Sequence, residues 1–144
     1  MDKNTRQLAA QLRETTTRLV KKLRKQSLTG EKLSLTERST IALLDQHGQL
    51  LPSELASMEK ITTQSMSQIL NHLLELGYIN REPSKTDKRK VIISLSDAGR
   101  EVLYRVRNER EEWLYTAISD LCTTEDRASL NNALSLLKKI IEHE

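Results

Sequence analysis

The chain has 144 residues, of which 37% are hydrophobic and 30% charged, enough for one domain with its own core and too few for two. Its formal charge is +3 and its pI near 9.1, a balance that leans toward a polyanionic partner but decides nothing until the charge is located. The segment Met1–Gln7 lacks a signal-like apolar core, no apolar run reaches the ~20 residues needed to cross a bilayer, and the single Cys122 excludes an internal disulfide framework, so the expectation is a cytoplasmic chain without membrane partners.

Glycine and proline are scarce, four and two in the whole chain, which predicts helices with short connections. With no Phe, the core must come mainly from Leu and Ile. From Asn4 to about Gln26, Leu8, Leu12, Leu19 and Leu23 recur on one helical face. Arg13, Arg18, Lys21, Lys22, Arg24 and Lys25 make the remainder strongly basic. A break is expected over Ser27–Lys32, around Gly30. Ser34-Leu35-Thr36-Glu37 then has the form of a capping box, with Thr36 as the alternative cap, and starts a helix that Gly48 ends. Pro52 suits the first turn of a short helix to Met58. Thr62 is placed to cap the next, which runs to Leu76 and stops at Gly77. Met66, Ile69, Leu70, Leu73 and Leu76 form its apolar face.

The period then changes. Tyr78–Arg81 and Val91–Leu95 are β-compatible and flank the polar, turn-rich Glu82–Lys90, so a two-stranded hairpin with a charged tip is predicted. Ser96 caps a long helix to about Ser119, and Thr123 or Thr124 begins a last one carrying Leu130, Leu134, Leu137 and Ile141. The fold class is mainly α with a small β-hairpin: a winged helix-turn-helix over residues 34–100 within a single domain spanning 1–144, flanked by long helices in 1–33 and 101–144. The apolar stripes of those flanking helices exceed what so small a winged core can cover. Twofold association with a second copy would bury them, so they are read as dimerisation helices.

Two features point to nucleic acid. The helix after Thr62 begins with short polar side chains, Thr63, Gln64, Ser65, Ser67 and Gln68, able to approach base edges, and a glutamine can pair in bidentate fashion with adenine. Residues 81–90 hold Arg81, Lys85, Lys88, Arg89 and Lys90 against Glu82 and Asp87, five positive and two negative side chains, for a net +3. Either feature alone is an ordinary solvated surface. Adjacent to each other, they suggest a reading helix beside a basic wing.

The stretch from Leu35-Thr36 through Ser53-Glu54-Leu55-Ala56 and Leu73-Leu74-Glu75-Leu76-Gly77-Tyr78-Ile79, with Arg81, Asp87-Lys88-Arg89 and Ser94-Leu95-Ser96-Asp97-Ala98-Gly99-Arg100, resembles the MarR family of bacterial transcription regulators. The resemblance implies a homodimeric regulator of double-stranded DNA, a repressor more often than an activator, acting on a pseudo-palindromic operator. It implies that Arg89 enters the minor groove with Asp87 holding an arginine in place, and that the neighbouring lysines contact phosphates. The DNA-contacting set is then Ser53, Thr62, Thr63, Gln64, Ser65, Ser67, Gln68, Asn71, His72, Lys85, Asp87, Lys88, Arg89 and Lys90, with Asn71 and His72 reaching phosphates rather than bases. Many relatives bind a small aromatic or anionic effector between the dimer helices and the winged region, and others sense oxidants through cysteine. Cys122 lies away from the N-terminal position of those reactive cysteines. One departure stands out: Met58-Glu59-Lys60-Ile61 precedes the reading helix where an apolar residue and a small turn residue are usual.

Rival classes leave weaker traces. There is no glycine-rich phosphate loop, nucleophile elbow or metal motif, so neither an enzyme nor a cofactor is expected. His47, His72 and His143 lack ligand spacing. An architectural, low-specificity DNA binder is the main alternative, and a winged-helix protein-interaction module the other.

Overall fold

The computed structural model describes residues 2–27 and 32–144. The break expected around Gly30 falls partly outside them. Helix α1 spans Lys3–Lys25; Asp2 caps it through bonds from the Asn4 and Thr5 amides, and Lys22, Arg24 and Lys25 oppose the dipole at its far end. Ser34 opens α2 (Leu35–His47) with the anticipated capping box: its hydroxyl accepts from the Glu37 amide at 3.0 Å while Glu37 Oε1 accepts from the Ser34 amide at 2.8 Å. Gly48 ends the helix at φ +82°, a left-handed setting that suits glycine.

Strand β1 (Gln49–Leu50) follows, then α3 (Pro52–Glu59) and α4 (Thr63–Glu75). Next come β2 (Ile79–Pro83), β3 (Val91–Leu95), α5 (Asp97–Leu121) and α6 (Thr124–Ile141). Ser96 and Thr123 cap the last two helices, each accepting from the amide three residues on.

The expected two-stranded hairpin is a three-stranded antiparallel sheet in the order β1-β3-β2. Gln49 pairs with Ser94 and Leu50 with Ile93, so two residues too short to show a strand period are fixed by β3. Strand β2 also runs two residues further than the predicted one: its register pairs Ile79 with Leu95 and Pro83 with Val91. Pro83 is tolerated because β2 is an edge strand.

The core gathers Ile41 and Leu44 of α2, Leu55 and Ala56 of α3, Met66, Leu70 and Leu73 of α4, and Ile79, Ile93 and Leu95 of the sheet. Val102, Leu103 and Val106 of α5 complete it. Leu76, expected on the buried face, is exposed because it is the C-cap of α4, where the chain leaves the helix. Helices α1 and α6 contain no buried residue at all. Leu8 is 64% exposed, Leu134 52% and Ile141 80%, so much of their apolar surface has no cover within the chain.

The sheet, α4 and α5 meet at one tight junction. A Cβ placed on Gly99 would lie 2.0 Å from the carbonyl oxygen of Tyr78. That oxygen accepts from the Ser96 amide at 3.1 Å, and the Ser96 hydroxyl donates to the Gly77 carbonyl at 2.5 Å. Gly99→Ala should therefore force the backbones apart and lower unfolding free energy by about 1–3 kcal/mol or more, read as an earlier midpoint in urea denaturation.

Candidate nucleic-acid interface

Helices α3 and α4 form a helix-turn-helix whose turn is unusual. Lys60 stands in the left-handed region at φ +56°, ψ +44°, where a side chain is disfavoured. The conformation is held by a helix-ending bond from the Ile61 amide to the Ala56 carbonyl at 3.0 Å and by partial burial of Ile61 against the core. The departure from the usual turn sequence thus leaves a regular turn with a lysine in a glycine-like setting. Thr62 then caps α4: its Oγ1 accepts from the Ser65 amide at 3.0 Å, and its hydroxyl donates to Ser65 Oγ at 2.9 Å.

Met66, Leu70 and Leu73 point into the core, which turns Thr63, Gln64, Ser67, Gln68 and Asn71 to solvent. Ser65 is exposed too, but its hydroxyl is engaged by Thr62. Thr63 and Gln64 are therefore the freer groups at the helix entrance. Ser53 is exposed in the first turn of α3. His72 is different: its Nδ1 contacts Glu37 Oε2, a buried carboxylate on α2. Hydrogen bonding and charge from Glu37 raise the imidazole pKa above its ordinary value. Burial alone would raise the Glu37 pKa, but the Ser34 amide and His72 together hold it below the usual range. In the sequence Glu37 shows only its capping role, since nothing local marks a partner thirty-five residues away.

The wing tip is built around Ser84, which is buried although polar. Its hydroxyl accepts from the Thr86 and Asp87 amides, each at 3.3 Å, while its own amide donates to the Lys90 carbonyl at 2.9 Å. Asp87 Oδ1 in turn accepts from the Arg89 amide at 3.1 Å and from Arg89 Nε at 3.3 Å. Those donors hold the Asp87 carboxyl below its usual pKa. The Arg89 side chain is 91% exposed, aimed outward from an ordered turn, and Lys85, Lys88 and Lys90 surround it in solvent. The role of Ser84 is missed by the sequence reading, for a serine in a polar loop carries no mark of burial.

A second feature lies between α1, α2 and α5. Val20 of α1, Leu33, Leu35 and Ala42 of the α2 region, and Val102 and Val106 of α5 line a cleft of about 290 Å³ with Arg38, Arg107 and Arg110. The Nε atom of Arg38 and the Nε and Nη2 atoms of Arg110 are buried without hydrogen-bond partners. Burial and then the nearby Arg24 depress the Arg110 pKa. Arg107 is better placed, 3.7 Å from Asp45 Oδ2 and over the Tyr104 ring. Cys122, half-buried at the end of α5, lies outside both sites.

Residues 33–91, the winged region without the last strand and the long helices, match the sequence profile of the MarR family. An HTH-type transcriptional regulator of Mycobacterium leprae is 31% identical over 94% of this chain and 93% of its own length. The chain belongs to the MarR family. Among solved structures, a transcriptional regulator protein from Pseudomonas aeruginosa superposes with a TM-score of 0.89 at 30% identity, covering 100% of both chains. A mutant MepR of Staphylococcus aureus bound to an oligodeoxyribonucleotide shares the fold at a TM-score of 0.72 and 20% identity, over 92% of this chain and 97% of that one. Membership makes the chain a helix-turn-helix transcriptional regulator and implies that it binds DNA; the family's members are regulators rather than enzymes. Among the described residues, no helix of this MarR-family chain is long and apolar enough to cross a membrane.

Two predictions test the local geometry. Lys60→Gly should relieve the left-handed strain and stabilise the domain by about 0.5–1 kcal/mol, measured by chemical denaturation. Ser84→Ala should free the Thr86 and Asp87 amides, raising their hydrogen-exchange rates by about fivefold or more while the core amides keep theirs.

Proposed function

We propose that this chain is a sequence-specific repressor that binds double-stranded DNA as a homodimer on a pseudo-palindromic operator and answers to a small aromatic or anionic effector. The observation that carries the reading is the pairing of an exposed polar entrance on α4 with a wing tip already folded around Ser84 and Asp87. Bases are read by Thr63, Gln64, Ser67 and Gln68, with Ser65 and the cap Thr62 beside them. Phosphates are met by Ser53, Asn71, Lys85, Lys88 and Lys90, and His72 has its Nε2 edge left for the same purpose. Arg89, steadied by Asp87, enters the minor groove, whose narrow walls concentrate negative potential.

The uncovered stripes of α1 and α6 support the homodimer. Leu8, Leu130, Leu134 and Ile141 are apolar and exposed, and apolar burial is worth roughly 25 cal/mol per Å² before ordering costs. Two reading heads related by a twofold axis would address half-sites about 34 Å apart. A dimer seated on a promoter blocks polymerase, which makes repression the direct physical outcome.

The arginine-lined cleft supports the effector. A buried guanidinium without an acceptor is costly, and a carboxylate or phenolate with an apolar body would satisfy it while filling the Val20, Leu35 and Val102 walls. The cleft touches both a flanking helix and the winged region, so its occupant would bear on both.

Selection of duplexes from a random pool, repeated at two salt concentrations, tests the central reading. A shared pseudo-palindrome is expected; equal affinity for every duplex would favour a low-specificity architectural binder instead. On the selected site, Arg89→Ala should weaken binding by about 1–3 kcal/mol, and Lys88→Ala should reduce the slope of log affinity against log salt by about 1. Sedimentation at micromolar concentration should give twice the 16.5 kDa subunit mass; a monomer there sinks the dimer.

A further inference from the structure

Helix α4 is fixed in the domain by two kinds of contact. Met66, Leu70 and Leu73 enter the core, and such burial is strong but non-directional. Among the described residues, one polar side-chain link joins α4 to another element: His72 Nδ1 against Glu37 Oε2. Directional contacts of this kind set how far a helix is rotated about its own axis, which apolar packing leaves softer.

The anchor end of the link is rigid. Glu37 is buried, and its other oxygen is already committed to the Ser34 amide at 2.8 Å in the α2 capping box. The carboxylate therefore cannot swing to follow a displaced helix. The moving end sits on the reading face, since His72 follows Gln68 by four residues and Ser65 by seven, spacings that place all three on one side of a helix. A rotation of α4 that strains the His72 contact would move those side chains in the groove.

We infer that Glu37 is a positioning residue for DNA recognition: acting through His72 it clamps α4 to the start of α2, and the clamp is tightest when the imidazole is protonated. The inference rests on the DNA-binding reading above. Glu37 from α2 and Glu75 from α4 itself act on the ring, and no charged group of α3 or β2 contributes. Because Glu37 raises the imidazole pKa above 6.5, the ion pair is complete below that value and is lost as pH rises through the elevated one. Above it a neutral ring can still donate one hydrogen bond, so the clamp loosens rather than opens.

The test uses the full chain and a duplex selected from a random pool by the wild type. At constant ionic strength, wild-type affinity should fall by about fivefold between about pH 6 and pH 8.5. Glu37→Gln keeps an acceptor for the Ser34 amide but removes the charge, and it should flatten that profile near the wild-type high-pH level. His72→Gln should flatten it too, whereas His47→Gln and His143→Gln should keep the wild-type slope. The His72 ring is followed by NMR without DNA, where its titration midpoint should drop in Glu37→Gln. A midpoint equal in wild type and Glu37→Gln overturns the clamp. A pH slope that persists in Glu37→Gln overturns it as well and assigns the dependence to a direct contact of His72 with phosphate. Failure to select or bind any duplex at any pH, with the ring still coupled to Glu37, defeats the DNA reading and the positioning role with it.

Discussion

The constraint on which the fold turns is the close approach of Gly99 to the backbone of Tyr78. A helix can approach a strand entrance this closely only where it lacks a Cβ, and three elements take their positions from that approach. Gly77, at φ +79°, turns the chain out of α4. Tyr78 leads it into β2 while its carbonyl receives the Ser96 amide. Ser96 then starts α5, with one hydroxyl oxygen bonding both the Gly77 carbonyl and the Gly99 amide. The end of α4, the root of the wing and the start of α5 are thus one assembly. Asp45 extends this joint, lying near Arg100 and Arg107 and accepting from the Tyr104 hydroxyl at 3.3 Å, so α2 is tied to the same face of α5.

That joint explains how a small core can hold two exposed polar elements in register. The wing and α4 are both polar where they face solvent and gain little from their own burial. Their relative placement comes from shared neighbours: β3 lies between β1 and β2, and α4 rests on α3 and on the sheet through Met66, Leu70 and Leu73. With twenty-five residues in α5 and about 1.5 Å of rise per residue, the helix is a lever of about 37 Å. Its near end is fastened to the helix-turn-helix and the wing, and a tilt along its length must be shared by α4 and β2.

Much of this was legible in the sequence because it is encoded locally. Ser34, Thr62, Ser96 and Thr123 each accept a bond within their own first turn, and Gly48 and Gly77 mark helix ends by the backbone freedom they need. The charged stretch from Arg81 to Lys90 likewise declares itself. What stayed hidden depends on distant residues. Strand β1 exists because Ser94 and Ile93 pair with it. Ser84 is buried because the tip folds over it, and Lys60 is left-handed because Ile61 must reach the core. The Glu37–His72 pair and the unpartnered Arg110 come from the crossing of helices, which no short window contains. Leu76 shows the opposite error: a correct helical period carried one residue past the point where the helix stops.

The folded wing tip has a kinetic meaning. A loop that had to choose among many conformers would present its arginine correctly only part of the time, and each encounter would be discounted by that fraction. Here the bonds around Ser84 and Asp87 select the turn before any partner arrives, so the ordering entropy is settled during folding rather than at contact. What stays in solvent is the outer part of the Arg89 side chain and the lysines around it. Those exposed cations would act on a polyanion over a Debye length of about 8 Å, above a backbone held by its own hydrogen bonds. Outlying charge and fixed backbone geometry thus belong to different atoms of the same loop.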